Sequence, residues 1–172
     1  MRPPVDLERL RALARVLGEV AREETTLYLT GGATAVVEGW RPTTVDVDMR
    51  LEPESDVLLR RVATAKEELD INVELVSPPD FVPELPGWRE RSPFVLREGA
   101  VTVRHFDLYS QALSKVERGY ARDLEDVAAM VRSGLVDPAQ AIALFEQAEA
   151  SLHRYPAIDP GAFRAKVERA LG

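Results

Sequence analysis

The sequence predicts a small α/β (α+β) domain built on a mixed sheet, followed by a helical C-terminal segment. Short stretches in which apolar and polar residues alternate are separated by longer stretches with helical spacing, which is the pattern of alternating strands and helices. From residue 108 onward only helical spacing is present. We therefore predict an α/β core at 1–107 and a helical segment at 108–172 that packs on it.

The first part alternates helices and strands in chain order. Asp6 and Ser55 are the predicted N-caps of helices that run to Arg22 and to Leu69, because their side-chain oxygens can accept a hydrogen bond from a free backbone N–H. The next predicted elements are a strand at 26–30, a helix at 33–38, a strand around 45–49, a helix at 55–69, a strand at 71–76 and a hairpin with strands at 94–97 and 101–106. His105 on the second hairpin strand is predicted to be a packed or hydrogen-bonded residue rather than a base.

Two further regions complete the chain. The segment 80–92 lacks regular spacing but is rich in apolar residues and proline, so it either folds back over the core or forms a wall of a pocket. In the same segment Arg89 and Arg91 are expected to meet a phosphate or an acidic neighbour. The remaining predicted helices run from 108 to 116, from 121 to 133, from 138 to about 154, and from 160 to 171.

Composition excludes several classes of protein. The net charge is −7 and the chain contains no cysteine and only two histidines. An acidic chain is not a general nucleic-acid binder, and this residue content argues against a disulfide framework or a zinc site. The absence of an apolar run of about 20 residues argues against a membrane span. The expected location is the cytoplasm.

The segment from Thr30 to Arg50 carries the clearest chemical pattern. Gly31 and Gly32 lie at a predicted strand-to-helix turn, where the absence of a Cβ lets backbone approach a ligand closely. In the following strand Val45, Val47 and Met49 alternate with polar residues, so Asp46 and Asp48 project from the same face.

Two neighbouring carboxylates repel each other unless a cation lies between them or one keeps a proton. Their oxygen atoms suit Mg²⁺ or Mn²⁺, and Mg²⁺ is commonly held by one or two carboxylates together with substrate phosphates. Asp46 and Asp48 are therefore the predicted metal ligands and catalytic residues. Thr30, Gly31, Gly32 and Thr44 are the predicted nucleotide-binding residues around them.

The order of strand, Gly-Gly, helix and a strand with Asp-x-Asp resembles the nucleotidyltransferase superfamily, which has the polymerase-β-like fold. This resemblance implies that both aspartates bind the metal and that a third carboxylate comes from a later strand. Glu74 in the segment INVELV is the candidate for this third metal ligand. The alternative is that Glu74 is an ordinary exposed residue of a half-buried strand.

A second charged pattern lies between Leu108 and Val127. If this stretch is one helix, Lys115, Arg118, Arg122 and Asp126 share a face, although a break at Gly119 is possible in that segment. The alternative is a solvated helix face with intrahelical ion pairs.

The second pattern resembles the later motif of AbiEii-type toxin nucleotidyltransferases. More closely, GGATAV, TVDVD and FDLYSQALSKVERGYARDLEDV resemble a group of uncharacterised bacterial nucleotidyltransferase-like proteins. The resemblance implies that Lys115 faces the triphosphate, that Asp123 is a late acidic residue of the site, and that Asp126 is its structural partner. Arg122, on the same predicted helix face as Lys115, is a further predicted nucleotide-binding residue. Because we expect Lys115 to be partly exposed, its replacement by alanine is predicted to lower turnover without unfolding the chain.

The leading hypothesis is a metal-dependent enzyme that moves a nucleoside monophosphate from a nucleoside triphosphate to a hydroxyl group. The acceptor is a tRNA, a protein or a small molecule, and the resemblance favours the toxin of a toxin–antitoxin pair with a cognate antitoxin as its partner. The alternative is a non-catalytic nucleotidyltransferase fold that acts as a nucleotide sensor or a protein-binding module.

Overall fold

The computed structural model describes the whole chain from Met1 to Gly172. The chain forms two compact units that interleave along the sequence. Unit 1 comprises residues 1–77 and 92–105, and unit 2 comprises residues 78–91 and 106–172. None of the helices combines the length and the hydropathy that crossing a bilayer requires.

Unit 1 contains one five-stranded sheet and three helices. The helices are α1 (Leu7–Val20), α2 (Gly32–Glu38) and α3 (Asp56–Glu68), and the strands are β1 (Thr25–Thr30), β2 (Asp46–Glu52), β3 (Asn72–Leu75), β4 (Phe94–Glu98) and β5 (Val101–His105). The strand order is β3-β2-β1-β5-β4. Strand β1 is antiparallel to β2 and parallel to β5, so the predicted mixed sheet and fold class are confirmed.

The alternation along β2 divides the sheet into an apolar face and a polar face. Val47, Met49 and Leu51 are buried, whereas the residues between them are partly exposed. The buried residues join the α1 side chains of Leu13 and Leu17 in one core cluster. Burying each leucine of this kind contributes roughly 1.5–3 kcal/mol to folding. The core therefore fixes the register that turns the polar residues of β2 to the opposite face.

The predicted N-caps of two helices are present. Asp6 accepts a hydrogen bond from the Arg9 N–H at 3.0 Å, and Ser55 accepts one from the Leu58 N–H at 3.3 Å. Both contacts satisfy a backbone donor that has no partner inside its helix. They define where α1 and α3 begin, as the sequence predicted.

Unit 2 is helical. Its helices are α4 (Trp88–Arg91), α5 (Leu108–Arg118), α6 (Ala121–Arg132), α7 (Pro138–Glu149) and α8 (Pro160–Leu171), with short 3₁₀ turns at Pro78–Asp80 and Leu152–Arg154. The helix predicted to continue to about residue 154 ends at Glu149, and the 3₁₀ turn follows it.

The apolar segment 78–91 belongs to unit 2, which explains its composition. Trp88 is buried and stacks on Phe106 with ring centroids 4.2 Å apart. Arg91 donates two hydrogen bonds to the buried Asp107, from Nε at 3.1 Å and from Nη2 at 2.8 Å. Asp107 also caps α5 by accepting from the Ser110 N–H. Of the two partners predicted for Arg91, the structure therefore contains the acidic neighbour.

Candidate functional site

The glycine turn and the second aspartate of β2 are in direct contact. Thr30, the last residue of β1, pairs with Asp48 of β2 in the antiparallel register. Gly31 follows with φ +62°, and a Cβ built on it would lie 2.9 Å from Asp48 Oδ2. The carboxylate of Asp48 therefore rests against the backbone of the turn. A side chain at position 31 would both strain the backbone and displace this carboxylate.

The next glycine is packed against the segment that leads into β2. A Cβ on Gly32 would lie only 2.1 Å from Thr44 Oγ1. Thr44 is fixed by two backbone hydrogen bonds with Val5, at 2.7 and 2.9 Å, and its hydroxyl donates to the Asp46 carbonyl at 3.0 Å. Thr44 thus connects the turn to the start of the strand that carries both aspartates.

Asp46 and Asp48 lie on the same face of β2, as the sequence predicted. Both are partly exposed, and they flank the fully buried Val47. Their carboxylates therefore remain reachable from solvent while the strand is held by the core. Two carboxylates on one face of a strand offer the oxygen ligands that a hard divalent cation such as Mg²⁺ prefers.

The predicted third carboxylate lies on the neighbouring strand. In the parallel pairing of β2 with β3, Asp48 aligns with Glu74 and Asp46 aligns with Asn72, so these four residues share one face. The Glu74 side chain is exposed. Nowhere in the structure do three or more His, Cys, Asp or Glu side chains form a group that could hold a metal ion. The role of Glu74 as a metal ligand accordingly stays a prediction.

A buried hydrogen-bond network around His105 supports the turn from the opposite face of the sheet. His105 pairs with Leu29 in the register, is 1% exposed, and contacts two residues of α2. Its Nδ1 lies 3.1 Å from Thr34 Oγ1, and its Nε2 lies 2.7 Å from Glu38 Oε1. The expectation of a hydrogen-bonded histidine is confirmed.

Burial lowers the pKa of His105, although the Glu38 carboxylate acts in the opposite direction. The ring therefore prefers its neutral form, and it joins the end of β5 to the helix that begins at the glycine turn. Sequence reasoning missed Thr34 and Glu38. Their spacing of four on α2 was the available signal, because residues four apart share a helix face.

The charged pattern of residues 108–127 forms a closed cluster inside unit 2. The chain breaks at Gly119, with φ +73°, so α5 and α6 are separate helices rather than one. Lys115 Nζ donates to Asp126 Oδ2 at 2.7 Å and lies 3.8 Å from Asp123 Oδ1. Lys115 is only 6% exposed. The premise that this lysine is partly exposed is therefore wrong, because the break lets α6 pack against α5.

A second cation completes this cluster. Arg118 donates to both oxygens of Asp123, at 2.8 and 2.5 Å. Burial alone would raise the pKa of Asp123, but Arg118, Lys115 and the Tyr120 N–H together lower it. Arg122, in contrast, is exposed on α6. The nucleotide-binding roles of Lys115 and Arg122 and the catalytic role of Asp123 stay predictions.

The chain is similar to a known protein family over most of its length. Residues 6–156 match a family described as a nucleotidyltransferase of unknown function, DUF6036. Among solved structures, the chain is similar to an antigenic nucleotidyltransferase-like protein from Paracoccidioides brasiliensis. The two share 15% identity and a TM-score of 0.49, over 91% of this chain and 96% of that chain. No curated protein matches the chain.

Proposed function

We propose that this chain, which belongs to the DUF6036 family of nucleotidyltransferases, transfers a nucleoside monophosphate from a nucleoside triphosphate to a hydroxyl group. The observation that carries the proposal is the contact between the Asp48 carboxylate and the backbone of Gly31. This contact brings a metal-binding oxygen to the turn where a phosphate can approach. Asp46, two residues earlier on the same face, supplies the second carboxylate.

Each residue of the site has a defined task in this proposal. Asp46 and Asp48 would hold Mg²⁺ or Mn²⁺, which supplies charge neutralisation at the phosphates. Thr30 and the Gly31–Gly32 backbone would receive the phosphate chain, and Thr44 would keep the turn in register with β2. We assign this task to the turn rather than to the dipole of α2, because α2 has only seven residues.

The proposed reaction is a single displacement at the α-phosphorus of the nucleoside triphosphate. The acceptor oxygen forms a bond to the α-phosphorus, the bond from that phosphorus to the bridging oxygen breaks, and pyrophosphate leaves. The acceptor proton has to go to a base, and Glu74 is our candidate because it aligns with Asp48 on the neighbouring strand. Positioning and charge neutralisation supply most of the rate in reactions of this class.

We further propose a macromolecular acceptor, either a tRNA or a protein hydroxyl, and a cytoplasmic site of action. The support is the resemblance of the α5–α6 segment to the later motif of AbiEii-type toxins, together with the resemblance of GGATAV and TVDVD to uncharacterised bacterial nucleotidyltransferase-like proteins. On this basis the chain is the toxin of a toxin–antitoxin pair, and a cognate antitoxin is its expected partner. This extension rests on analogy with those proteins.

Transfer of label tests the proposal. Full-length protein is incubated with each nucleoside triphosphate labelled at the α-phosphate, with Mg²⁺, and with total tRNA or a protein extract as acceptor. Wild type is expected to label one acceptor class and to release pyrophosphate. Asp48→Asn should lower that rate more than about 100-fold, since mutation of residues that only support metal ligands already lowers metal affinity or activity about 10–100-fold. Glu54→Gln, a change in an exposed acid outside β2, is the matched control.

Two results would separate the enzyme from the non-catalytic alternative. Label transfer lost in Asp48→Asn and kept in Glu54→Gln supports the enzyme. Nucleotide binding that is unaffected by Mg²⁺ and by Asp48→Asn, with no transfer to any acceptor, would identify a nucleotide sensor instead.

A further inference from the structure

Helices α5, α6 and α8 of unit 2 surround an open cavity of about 280 Å³. Its apolar lining includes the deeply buried Val116 and Val127 together with Leu124 and Ala128. A space of this volume lies near the lower end of the range for small-molecule sites, and it suits one large apolar side chain. None of the residues proposed for nucleotidyl transfer lines it.

Two cationic side chains line the same cavity. Lys166 and Arg169 of α8 belong to its wall. Lys166 Nζ donates one hydrogen bond, to the Glu117 carbonyl at 2.7 Å, which fixes its ammonium group beside the opening. An ammonium has three donors, so this contact leaves donors for an acidic group. Arg169 is exposed. The cavity therefore favours an apolar group that carries negative charge beside it.

Apolar surface continues outside the cavity. Tyr120 is 69% exposed and Leu124 is 42% exposed. The two residues lie one helical turn apart, since the Leu124 N–H donates to the Tyr120 carbonyl at 3.1 Å. Exposed apolar side chains that adjoin a cavity are typical of a protein-binding surface rather than of a site that encloses a small molecule.

Unit 2 also carries an exposed aromatic side chain that has acidic neighbours. Phe81 is 52% exposed, and it follows directly after the exposed Asp80. Glu84, also exposed, lies three residues further on. Burial together with the charges of Glu84 and Asp80 raises the pKa of the Tyr155 hydroxyl, while Arg154 acts in the opposite direction. Both carboxylates therefore lie near the Tyr155 hydroxyl, as Arg154 does, so the two acids outnumber the one base around it, and the exposed Phe81 lies between the two acids in the sequence.

We propose that this chain pairs with a second copy of itself, with Phe81 of each copy entering the α5–α6–α8 cavity of the other. Asp80 and Glu84 of one copy would then face Lys166 and Arg169 of its partner. Each copy carries both the aromatic group and the cavity, and two reciprocal contacts of this kind around a two-fold axis would close the pair as a dimer. The local charge complementarity offsets the general repulsion between two chains of net charge −7.

Sedimentation equilibrium of the full-length protein over a wide concentration range tests this pairing. Wild type is expected to sediment as a dimer. Phe81→Asp is expected to weaken the dimer by about 30-fold or more, because buried aromatic anchors dominate interfaces. Phe94→Asp is the matched control, since Phe94 is 59% exposed but belongs to unit 1. Circular dichroism of both variants should remain that of wild type, because neither side chain is in the core.

A charge exchange makes the test specific for this contact. Glu84→Lys and Arg169→Glu should each weaken the dimer, and the double variant should recover most of the loss. Filling the cavity with Ala128→Trp, at an exposed position of α6, should have the same effect as Phe81→Asp. A monomeric wild type at every concentration would overturn the proposal. So would a dimer that Phe81→Asp leaves intact, or a cavity that binds an acidic peptide while the chain stays monomeric.

Discussion

Two pairs of aspartates in this chain have opposite surroundings. Asp46 and Asp48 of unit 1 are partly exposed and adjoin a glycine turn. Asp123 and Asp126 of unit 2 are 4% and 1% exposed, and Lys115 and Arg118 neutralise them within the chain. Burying a charge is costly unless it is paired. The difference indicates that the second pair stabilises a helix–helix contact, whereas the first keeps partial exposure to solvent, as the proposed metal site requires.

The largest expected effect on stability comes from breaking the closed cluster. Lys115→Met removes the ammonium that pairs with the buried Asp126, and removing one partner of a buried pair costs about 3–5 kcal/mol. Urea denaturation measures the loss. Adding Asp126→Leu should recover most of it, because Asp123 keeps its contact with Arg118. If the urea transition of Lys115→Met has the same midpoint as that of wild type, the cluster does not stabilise the fold and the comparison between the two pairs fails.

The glycine turn should respond in both stability and function. Gly32→Ala places a methyl group against Thr44 Oγ1, and Thr44 cannot withdraw easily because Val5 holds its backbone. We expect a loss of about 1–3 kcal/mol in unfolding free energy and weaker nucleotide binding, measured by denaturation and calorimetry.

Two further variants check the cause of that effect. Gly39→Ala is the control, because no atom lies within 4 Å of the added Cβ; unlike Gly32, Gly39 has a positive φ, +88°, which strains an alanine. It should cost some stability and leave nucleotide binding unchanged. Combining Gly32→Ala with Thr44→Ala removes the contact with Oγ1 but leaves the Cβ of residue 44 at 2.8 Å, so it should restore only part of the loss. Equal effects of Gly32→Ala and Gly39→Ala on nucleotide binding would show that the contact with Thr44 is unimportant.

A smaller and pH-dependent effect is expected at His105. Because burial lowers its pKa below the ordinary value of 6.5, the unfolded chain binds the proton more readily than the folded chain. Stability from this residue is fully present above pH 6.5 and is lost as the pH falls from there through the folded pKa. One proton gives a slope of at most about 1.4 kcal/mol per pH unit.

The His105 effect can be isolated by substitution. Unfolding free energy measured against pH should fall less steeply below pH 6.5 in His105→Gln than in wild type. His153→Gln is the control, because His153 is exposed and should keep the wild-type curve. Identical slopes for wild type and His105→Gln would contradict the role of the buried histidine.

The elements of unit 1 and the shared face of Asp46 and Asp48 were predictable because they follow from local spacing. The period of two along β2 fixes which side chains are buried, and Asp6 and Ser55 mark the starts of their helices. The order of strand, glycine turn, helix and strand was also sufficient to predict a nucleotidyltransferase family, whereas the resemblance to AbiEii-type toxins stays a prediction.

The surroundings of Lys115 were not predictable in the same way. Its main partner, Asp126, lies eleven residues away and meets it only because the chain turns at Gly119. Helical spacing describes neighbours within one helix, and it contains no information on how two helices pack. The packing of the apolar segment 78–91 into unit 2 was not predictable for the same reason, since its contact with Phe106 joins distant parts of the chain.

Calorimetric titration of a Mg²⁺–nucleoside triphosphate complex into wild type and Asp46→Asn tests the central claim most directly, with Glu54→Gln as the matched control. Wild type and the control should bind the nucleotide only when the divalent cation is present, and Asp46→Asn should lose this dependence together with most of its affinity. Binding that is equally strong without the cation, or unchanged in Asp46→Asn, would contradict the assignment of Asp46 and Asp48 as a metal-binding pair.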